Sequence, residues 1–272
     1  MLKFSRKFSP LFIFPLTLLL VIFLAAPWVT AKKAEKEKPI PQPWEIKGIV
    51  AALNDTDAAV RLFAARALEQ YKLDNPKSLI DASNKENNQE SYNKLVQQLR
   101  EQLSSTDKDE QEKNTSRAAT ATALGNMQAK EVAKDVALLL KNSDYGVRDS
   151  AADALGNMQA KEYAKDVVLL LKDSESYVRD SAATALGNMQ AKEYAKDVAL
   201  LLKDSESYVR NSAATALGNM QAKEYAKDVA LLLKDSESYV RNSAADALGN
   251  MQAKEYAKDV ALLLKDSDTS VR

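Results

Sequence analysis

The sequence predicts an all-α protein, an α-solenoid of two-helix repeats, and three observations support this fold. A 31-residue segment recurs from position 118 to 272, and each copy contains a glycine in the string ALGNMQAKE, at 125, 156, 187, 218 and 249. Only 7 glycines and 7 prolines occur in 272 residues, so the turn signals of β proteins are scarce. The apolar residues follow helical spacing. Units of this length bury their apolar faces by stacking on one another.

The first helix of the repeat is predicted from AKEYAKDVVLLLK at 160–172. Its broad apolar face consists of Tyr163, Ala164, Val167, Val168, Leu170 and Leu171. The opposite face contains Lys165, Asp166, Leu169 and Lys172. One residue of that face belongs to a leucine column that points away from the intramolecular core: Leu138, Leu169, Leu200, Leu231 and Leu262. We expect contacts between adjacent first helices to cover this column; if exposed, it would be an apolar stripe for a partner.

The second helix is predicted from SYVRDSAATALGNM at 176–189. Its aligned apolar residues are Val178, Ala182, Ala185, Leu186 and Met189. Because most of them are alanines, neighbouring helices can approach closely. We expect Ser174 to accept hydrogen bonds from the amides that begin this helix. We also expect Gly187 and Asn188 to end it by C-terminal capping.

The loop between the two helices carries a specific motif, an aspartate that ends the first helix and a Val-Arg pair that opens the second. In this respect LKDSESYVRDSAATALGNM resembles a HEAT repeat, most closely the short bacterial kind named for phycobilisome lyases. The resemblance implies that the aspartates and arginines form a structural ladder along the stack. The residues concerned are Asp173, Arg179, Asp204, Arg210, Asp235, Arg241, Asp266 and Arg272. Asn142 replaces the aspartate before Arg148, so we expect a weaker ladder there.

The region before the near-identical repeats reads as a diverged N-terminal repeat with a helical and disordered insert, at 49–117. LNDTDAAVRLFAARALEQ at 53–70 matches the Asp, Val-Arg and Ala-Ala-Leu positions and suits a terminal cap. Leu95, Leu99 and Leu103 predict one more helix over 91–103. Residues 104–116 contain no apolar side chain and are predicted to form a mobile loop. The insert is either an inserted docking arm or a decayed repeat.

Residues 1–31 have the layout of a secretory signal peptide. Lys3, Arg6 and Lys7 precede an apolar run at 11–26, and the small residues at 29–31 offer a cleavage site. The alternative is an uncleaved membrane anchor over 11–29. Residues 32–48 are charged and rich in proline, and they are predicted to form an extended tether. In both cases we expect an exported protein, periplasmic, secreted or anchored by its N-terminus.

Composition excludes most chemistries. The chain has no cysteine and no histidine, which excludes disulfides, thiolate nucleophiles, imidazole catalysis and zinc sites with nitrogen or sulfur ligands. Without residues 1–31, 35 basic residues stand against 38 acidic ones, so no basic surface for nucleic acid is expected. Carboxylate metal sites and carboxylate catalysis remain open, but no glycine-rich phosphate loop and no catalytic-looking pair of carboxylates occurs in the sequence. We therefore predict no catalytic site, no metal and no cofactor.

Three positions of the repeat make the best candidate binding site, which we call the polar strip. Two of them vary between units and lie four residues apart on the second helix, and a tyrosine lies one turn earlier. The strip consists of Asp149, Asp153, Tyr177, Asp180, Thr184, Tyr208, Asn211, Thr215, Tyr239, Asn242 and Asp246. By the HEAT resemblance, second helices line a concave surface, which solenoids use for binding. The alternative is simple drift at exposed positions.

The sequence therefore favours an exported, non-enzymatic scaffold that binds a protein partner along its concave face. The resemblance also suggests an iron-dependent hydroxylase, which the lack of histidine disfavours, or a bilin lyase, which the export signal disfavours. A membrane-tethered spacer is a further alternative. The chain stops at DSDTSVR, where a second helix should begin. We expect Val260, Leu263 and Leu264 to be poorly covered and the natural protein to continue through another second helix.

Overall fold

The computed structural model describes residues 43–53, 55, 58–69, 88–104 and 109–272. The predicted signal segment and the tether up to residue 42 lie outside these ranges, so the predictions made for them stay predictions. Every regular element within the described ranges is helical, which confirms the all-α class. None of these described helices is both long and apolar enough to cross a bilayer.

Three helices precede the near-identical repeats: α1 (Pro43–Leu53), α2 (Ala58–Glu69) and α3 (Asn88–Leu103). Residues 43–48 belong to α1 and not to an extended tether, because a proline suits the first helical position. The helix predicted over 91–103 is confirmed as α3, with its three leucines buried. α1 packs against α2 as a two-helix unit. Arg61 of this unit donates to the carbonyl oxygen of Asp55 at 3.0 Å, a contact that returns in the later repeats.

The prediction of a mobile loop over 104–116 is wrong for the second half of this range, which belongs to α4 (Glu110–Asn126). Asp109 caps this helix, because its side chain accepts from the backbone N–H of Glu112 at 2.9 Å. Two acidic residues in the first turn suit the positive end of the helix dipole. Asn114 and Ser116 are buried in spite of their polarity. Since α3 and α4 pack together and α4 packs on α2, they form a diverged repeat of the same stack.

The remaining helices alternate between first and second helices of the repeat. The first helices are α5 (Ala133–Leu138), α7 (Ala164–Val167), α9 (Ala195–Leu200), α11 (Ala226–Leu231) and α13 (Ala257–Leu262). The second helices are α6 (Tyr145–Asn157), α8 (Ser176–Asn188), α10 (Ser207–Asn219) and α12 (Ser238–Asn250). A 3₁₀ turn precedes each first helix and another follows it, as in Leu201–Lys203 after α9. The apolar face predicted from 160–172 is buried or half-buried, as expected.

The start of the second helix is organised by aspartate and not by Ser174. The residue before α8 is Glu175, which makes no side-chain capping hydrogen bond. Instead, the Oδ1 atom of Asp173 accepts from the backbone N–H of Glu175 at 3.0 Å. The prediction that Ser174 caps this helix is therefore wrong, because the aspartate one residue earlier already turns the backbone.

The repeated glycine has a different role from the one predicted. No glycine of the described chain has a positive φ, whereas Gln190 lies in the left-handed region with φ 50°. The N–H of Ala191 donates to the carbonyl of Leu186 at 3.0 Å, and that of Gln190 to Gly187 at 3.0 Å. This is a Schellman ending in which glutamine takes the place that glycine usually occupies. The helix thus ends at Asn188 as predicted, but the left-handed residue of the cap is Gln190 and not Gly187.

Close helix packing explains the glycine. A Cβ atom added to Gly187 would lie 2.8 Å from the Cα of Ala216 on α10, and one on Gly156 would lie 2.7 Å from the Cα of Ala185. Successive second helices thus touch backbone to backbone, while few contacts join successive first helices.

The expectation that neighbouring helices cover the leucine column is wrong. Its five members are 63–71% exposed, and few contacts join successive first helices. At the last repeat, Leu264 is 67% exposed, whereas the equivalent Leu233 is 6% exposed. Val260 is half-buried, but Leu263 is 9% exposed and stays covered, contrary to expectation.

Candidate functional site

The aspartates and arginines of the loop motif form a continuous ladder between repeats. The Nε and Nη2 atoms of Arg210 each donate to a carboxylate oxygen of Asp235 at 2.8 Å. Its Nη1 atom donates to the carbonyl oxygen of Asp204 at 3.0 Å. Each arginine thus binds the backbone of its own loop and the carboxylate of the next loop. The same geometry holds for Arg148, Arg179 and Arg241, whose carboxylate partners are Asp173, Asp204 and Asp266.

The partner of each carboxylate is therefore the arginine of the preceding unit. Asp173 and Arg179 share one motif, but the guanidinium of Arg179 reaches only the backbone carbonyl of Asp173, at 3.0 Å. Where Asn142 replaces the aspartate, its Oδ1 accepts from the N–H of Asp144 at 2.9 Å. The preceding Arg117 donates to the carbonyl of Leu103 at 3.0 Å. The ladder of carboxylates thus begins with the pair Arg148 and Asp173.

The polar strip lies along the second helices. Its members range from half-buried to exposed: Asp149, Asp180, Tyr208 and Asn211 are half-buried, and Asp153, Tyr177, Thr184, Thr215, Tyr239, Asn242 and Asp246 are exposed. The rings of Tyr177 and Tyr208 stack with centroids 5.4 Å apart and an interplanar angle of 19°. The structure therefore brings residues of consecutive repeats together in one row.

Serines that the sequence analysis missed connect the rows of the strip. The hydroxyl of Ser181 donates to Oδ1 of Asp149 at 2.7 Å, and that of Ser243 donates to Oδ1 of Asn211 at 2.6 Å. The hydroxyls of Tyr208 and Tyr239 bond to those of Ser176 and Ser207. The signal was present as serines 32 residues after each first strip position, but only inter-repeat packing shows that they meet.

Three carboxylates crowd the N-terminal part of the strip. Burial raises the pKa of Asp149, and the hydrogen bond from Ser181 opposes this rise. Burial also raises the pKa of Asp180; a hydrogen bond from Ser212 opposes this rise, and the charge of Asp149 adds to it. Although part of Asp153 remains exposed, the surrounding helices desolvate it and Asp149 repels its charge, which raises its pKa to about 6. The Oδ1 atom of Asp180 is buried and has no hydrogen-bond partner.

We expect the pKa of Asp153 to fall towards its ordinary value when Asp149 is replaced by Asn. The folded protein holds a proton on Asp153 that the unfolded chain releases above about pH 4. The stabilisation that Asp153 gains from holding this proton is therefore present at pH 4 and is lost as the pH rises through about 6. Carboxyl-detected NMR titration of both proteins measures the two pKa values. An unchanged pKa in Asp149→Asn would contradict the proposed repulsion.

A metal centre is not indicated in the part of the chain that the structure describes. No three acidic side chains there are placed to hold an ion. The three crowded aspartates form a surface of negative potential.

A family comparison supports the repeat assignment. The family model described as HEAT repeats matches residues 96–187, 167–233 and 194–272, together more than half of the chain. The chain is a HEAT-repeat protein. A search of curated proteins found no match. The Asp-Arg ladder and the Ala-rich second helices are thus features of a HEAT array, and the matched range includes α4 and the second half of α3.

Solved structures of similar fold include natural and engineered arrays. An engineered protein from the Northeast Structural Genomics Consortium is 26% identical over 77% of this chain and 97% of its own, with a TM-score of 0.55. The complex of CpcE and CpcF of phycocyanin lyase from Nostoc sp. PCC7120 is 22% identical over 86% of each chain, with a TM-score of 0.58. A designed armadillo repeat protein in complex with the peptide (KR)4 is 19% identical over 76% of this chain and 99% of its own, with a TM-score of 0.52.

Proposed function

We propose that this HEAT-repeat protein is an exported, non-enzymatic scaffold that binds a protein partner along the polar strip. The observation that carries the proposal is the alignment of stacked tyrosines with crowded carboxylates on consecutive second helices. Solenoids commonly bind partners along an extended concave surface, and we propose that the second helices line such a surface here. Export is supported by the basic, apolar and small-residue order of residues 1–31. The absence of histidine and cysteine supports a role without catalysis.

The chemistry of the strip favours a partner segment that contains lysine or arginine. A cation placed between Asp149, Asp153 and Asp180 would stabilise their charged forms, which burial and mutual repulsion now disfavour. The exposed ring of Tyr177 offers a face to which a guanidinium can bind. An extended segment suits the row, because the tyrosine recurs at 177, 208 and 239 and the other strip positions stay polar in each repeat.

Titration with charged octapeptides tests this function. The labelled peptide (KR)4 is the probe, because a designed armadillo repeat protein has been solved with it. We expect the full chain to bind (KR)4 but not (DE)4, with an affinity that falls as salt is added. Replacing Asp149, Asp153 and Asp180 together by Asn should weaken binding at least about tenfold, since close charge pairs are worth more than about 1.4 kcal/mol in total.

The control variant has the same change of net charge, but its replaced residues lie away from the second helices. Asp166, Asp197 and Asp228 lie on the first helices, and replacing them by Asn should leave the affinity unchanged. Replacing Tyr177, Tyr208 and Tyr239 by Ala should also weaken binding, because aromatic anchors dominate many interfaces. No binding of (KR)4, or an equal loss in both aspartate variants, would refute the polar strip as the binding surface.

A further inference from the structure

A cavity lies where the diverged repeat meets the first of the near-identical units. Its volume is about 650 Å³, which falls in the usual range for small-molecule sites. The lining residues come from α3, α4, α5 and the 3₁₀ turn Leu139–Lys141 that follows α5. None of them belongs to the polar strip, so this cavity is separate from the binding surface proposed above.

The Asp-Arg ladder changes its chemistry at this cavity. In the next rung, the Nε and Nη2 atoms of Arg148 each donate at 2.8 Å to the carboxylate of Asp173, which follows 25 residues later. The same spacing separates Arg117 from Asn142, and both of these residues line the cavity. Because an amide stands where the later units have a carboxylate, the chain gives Arg117 no counter-charge at the ladder position.

Several hydrogen-bond donors of the cavity lack an acceptor within the described ranges. The half-buried Arg117 makes one hydrogen bond there, from Nε to the carbonyl oxygen of Leu103 at 3.0 Å. Its Nη1 and Nη2 atoms, the Nζ atom of Lys141 and the Nδ2 atom of Asn142 have no acceptor among the described residues. The Oδ1 atom of Asn142 is already engaged, since it accepts from the N–H of Asp144. The cavity therefore offers donors, and two of the groups that carry them are cations.

The charges that line the cavity leave one positive charge in excess. Arg100 and Asp135 form an ion pair at 2.9 Å, so these two charges offset one another. Arg117 and Lys141 then stand against a single further acid, Glu101. One singly charged anion would therefore neutralise the site.

We propose that this cavity binds the carboxylate of a small organic acid, which takes the position that an aspartate occupies in the later rungs of the ladder. A guanidinium and a carboxylate form two parallel charge-assisted hydrogen bonds, which are among the strong hydrogen bonds of proteins. Leu103, Leu138 and Leu139 also line the cavity and would contact an apolar body attached to that carboxylate. The ligand class is thus a monocarboxylic acid with a short apolar chain.

Titration of the full chain with hexanoate, labelled with carbon-13 at its carboxyl group, tests the ligand class. We expect saturable binding by NMR with a dissociation constant of about 1 mM or below. Hexanol and inorganic phosphate, used as competitors, should each bind at least about tenfold more weakly, since hexanol lacks the charge and phosphate lacks the apolar chain. Equal or tighter binding of either competitor, or no saturable binding of hexanoate, would overturn the proposal.

Replacing Arg117 by Met should weaken hexanoate binding at least about tenfold, because the guanidinium that binds the carboxylate is lost. Lys172→Met is the matched control. It removes the same charge from an exposed residue one repeat further on, outside the cavity, and should leave the affinity unchanged. Circular dichroism checks that both variants keep their helices. Equal affinities of Arg117→Met and Lys172→Met would refute the role of Arg117.

Replacing Asn142 by Asp tests the site without removing any of its cations. The new carboxylate should pair with Arg117 as Asp173 pairs with Arg148, and hexanoate should bind at least about tenfold more weakly. This variant should fold, because the equivalent position of the next unit is already an aspartate. Ser143→Asp adds the same charge at the exposed neighbouring residue and should weaken binding by less than about twofold in physiological salt. Equal losses in these two variants, or no loss in Asn142→Asp, would overturn the proposal.

Discussion

Replacing Arg210 by Met should lower the free energy of unfolding by about 3–5 kcal/mol, the usual cost of removing one partner of a buried ion pair. Arg210 and Asp235 have side chains that are only 15% and 7% exposed, and they share two hydrogen bonds of 2.8 Å. Without the guanidinium, the carboxylate keeps a bond of 3.0 Å from the N–H of Glu237 but loses its counter-charge. The carbonyl of Asp204 loses its donor as well.

The dependence on pH follows from the same pair. Hydrogen bonds from Arg210 lower the pKa of Asp235, although burial opposes this effect. The pair therefore contributes stability above the ordinary carboxyl pKa of about 4 and loses it as the pH falls through the lowered pKa of the folded state. We expect the difference between Arg210→Met and the original chain to shrink in that acidic range. Urea unfolding curves at neutral and acidic pH measure both effects.

An exposed ion pair provides the control for Arg210→Met. Lys161 and Glu193 also link neighbouring repeats, with a distance of 3.3 Å, but their side chains are 52% and 50% exposed. Lys161→Met should change the free energy of unfolding by less than about 1 kcal/mol. The double variant with Asp235→Asn should recover part of the loss, because it removes the uncompensated charge. If Arg210→Met and Lys161→Met changed the free energy of unfolding equally little, the ladder would not be what stabilises the stack of repeats.

Replacing Gly187 by Ala should destabilise the stack by about 2–3 kcal/mol, although alanine is the better helix former. The new Cβ atom would lie 2.8 Å from the Cα and 2.9 Å from the Cβ of Ala216. A backbone atom cannot rotate away, so α8 and α10 must separate, and the contacts of both helices suffer. The gain in helix propensity, up to about 1 kcal/mol, offsets only part of this cost.

Gly249 is a control within nearly the same sequence. It also follows Ala-Leu and precedes Asn-Met, but no atom lies within 4 Å of a Cβ added there. Gly249→Ala should therefore raise the free energy of unfolding by up to about 1 kcal/mol. Urea denaturation followed by circular dichroism compares the two variants. Effects of the same sign at both positions would mean that the glycine serves the helix end and not the helix contact.

The polar strip shows how far sequence alone could go in locating a site. Its positions were found because units that are otherwise alike differ there, and the helical period placed Asp149 and Asp153 on one face. Their crowding could not be predicted, since the charge of Asp180 and the hydroxyl of Ser181 come from the next repeat. The same limit applies to the tyrosines, whose hydroxyls bond to serines of the preceding unit.

The sequence by itself determined the all-α class, the two helices of each repeat and the HEAT family, because helical periodicity and loop motifs are local properties that recur every 31 residues. Tertiary structure decided what those residues do between repeats. The distance between second helices, and not the helix end, requires Gly187 to lack a side chain. Few contacts join successive first helices, and Leu200 and its equivalents stay exposed. Helix spacing depends on how whole units pack, which no single segment encodes.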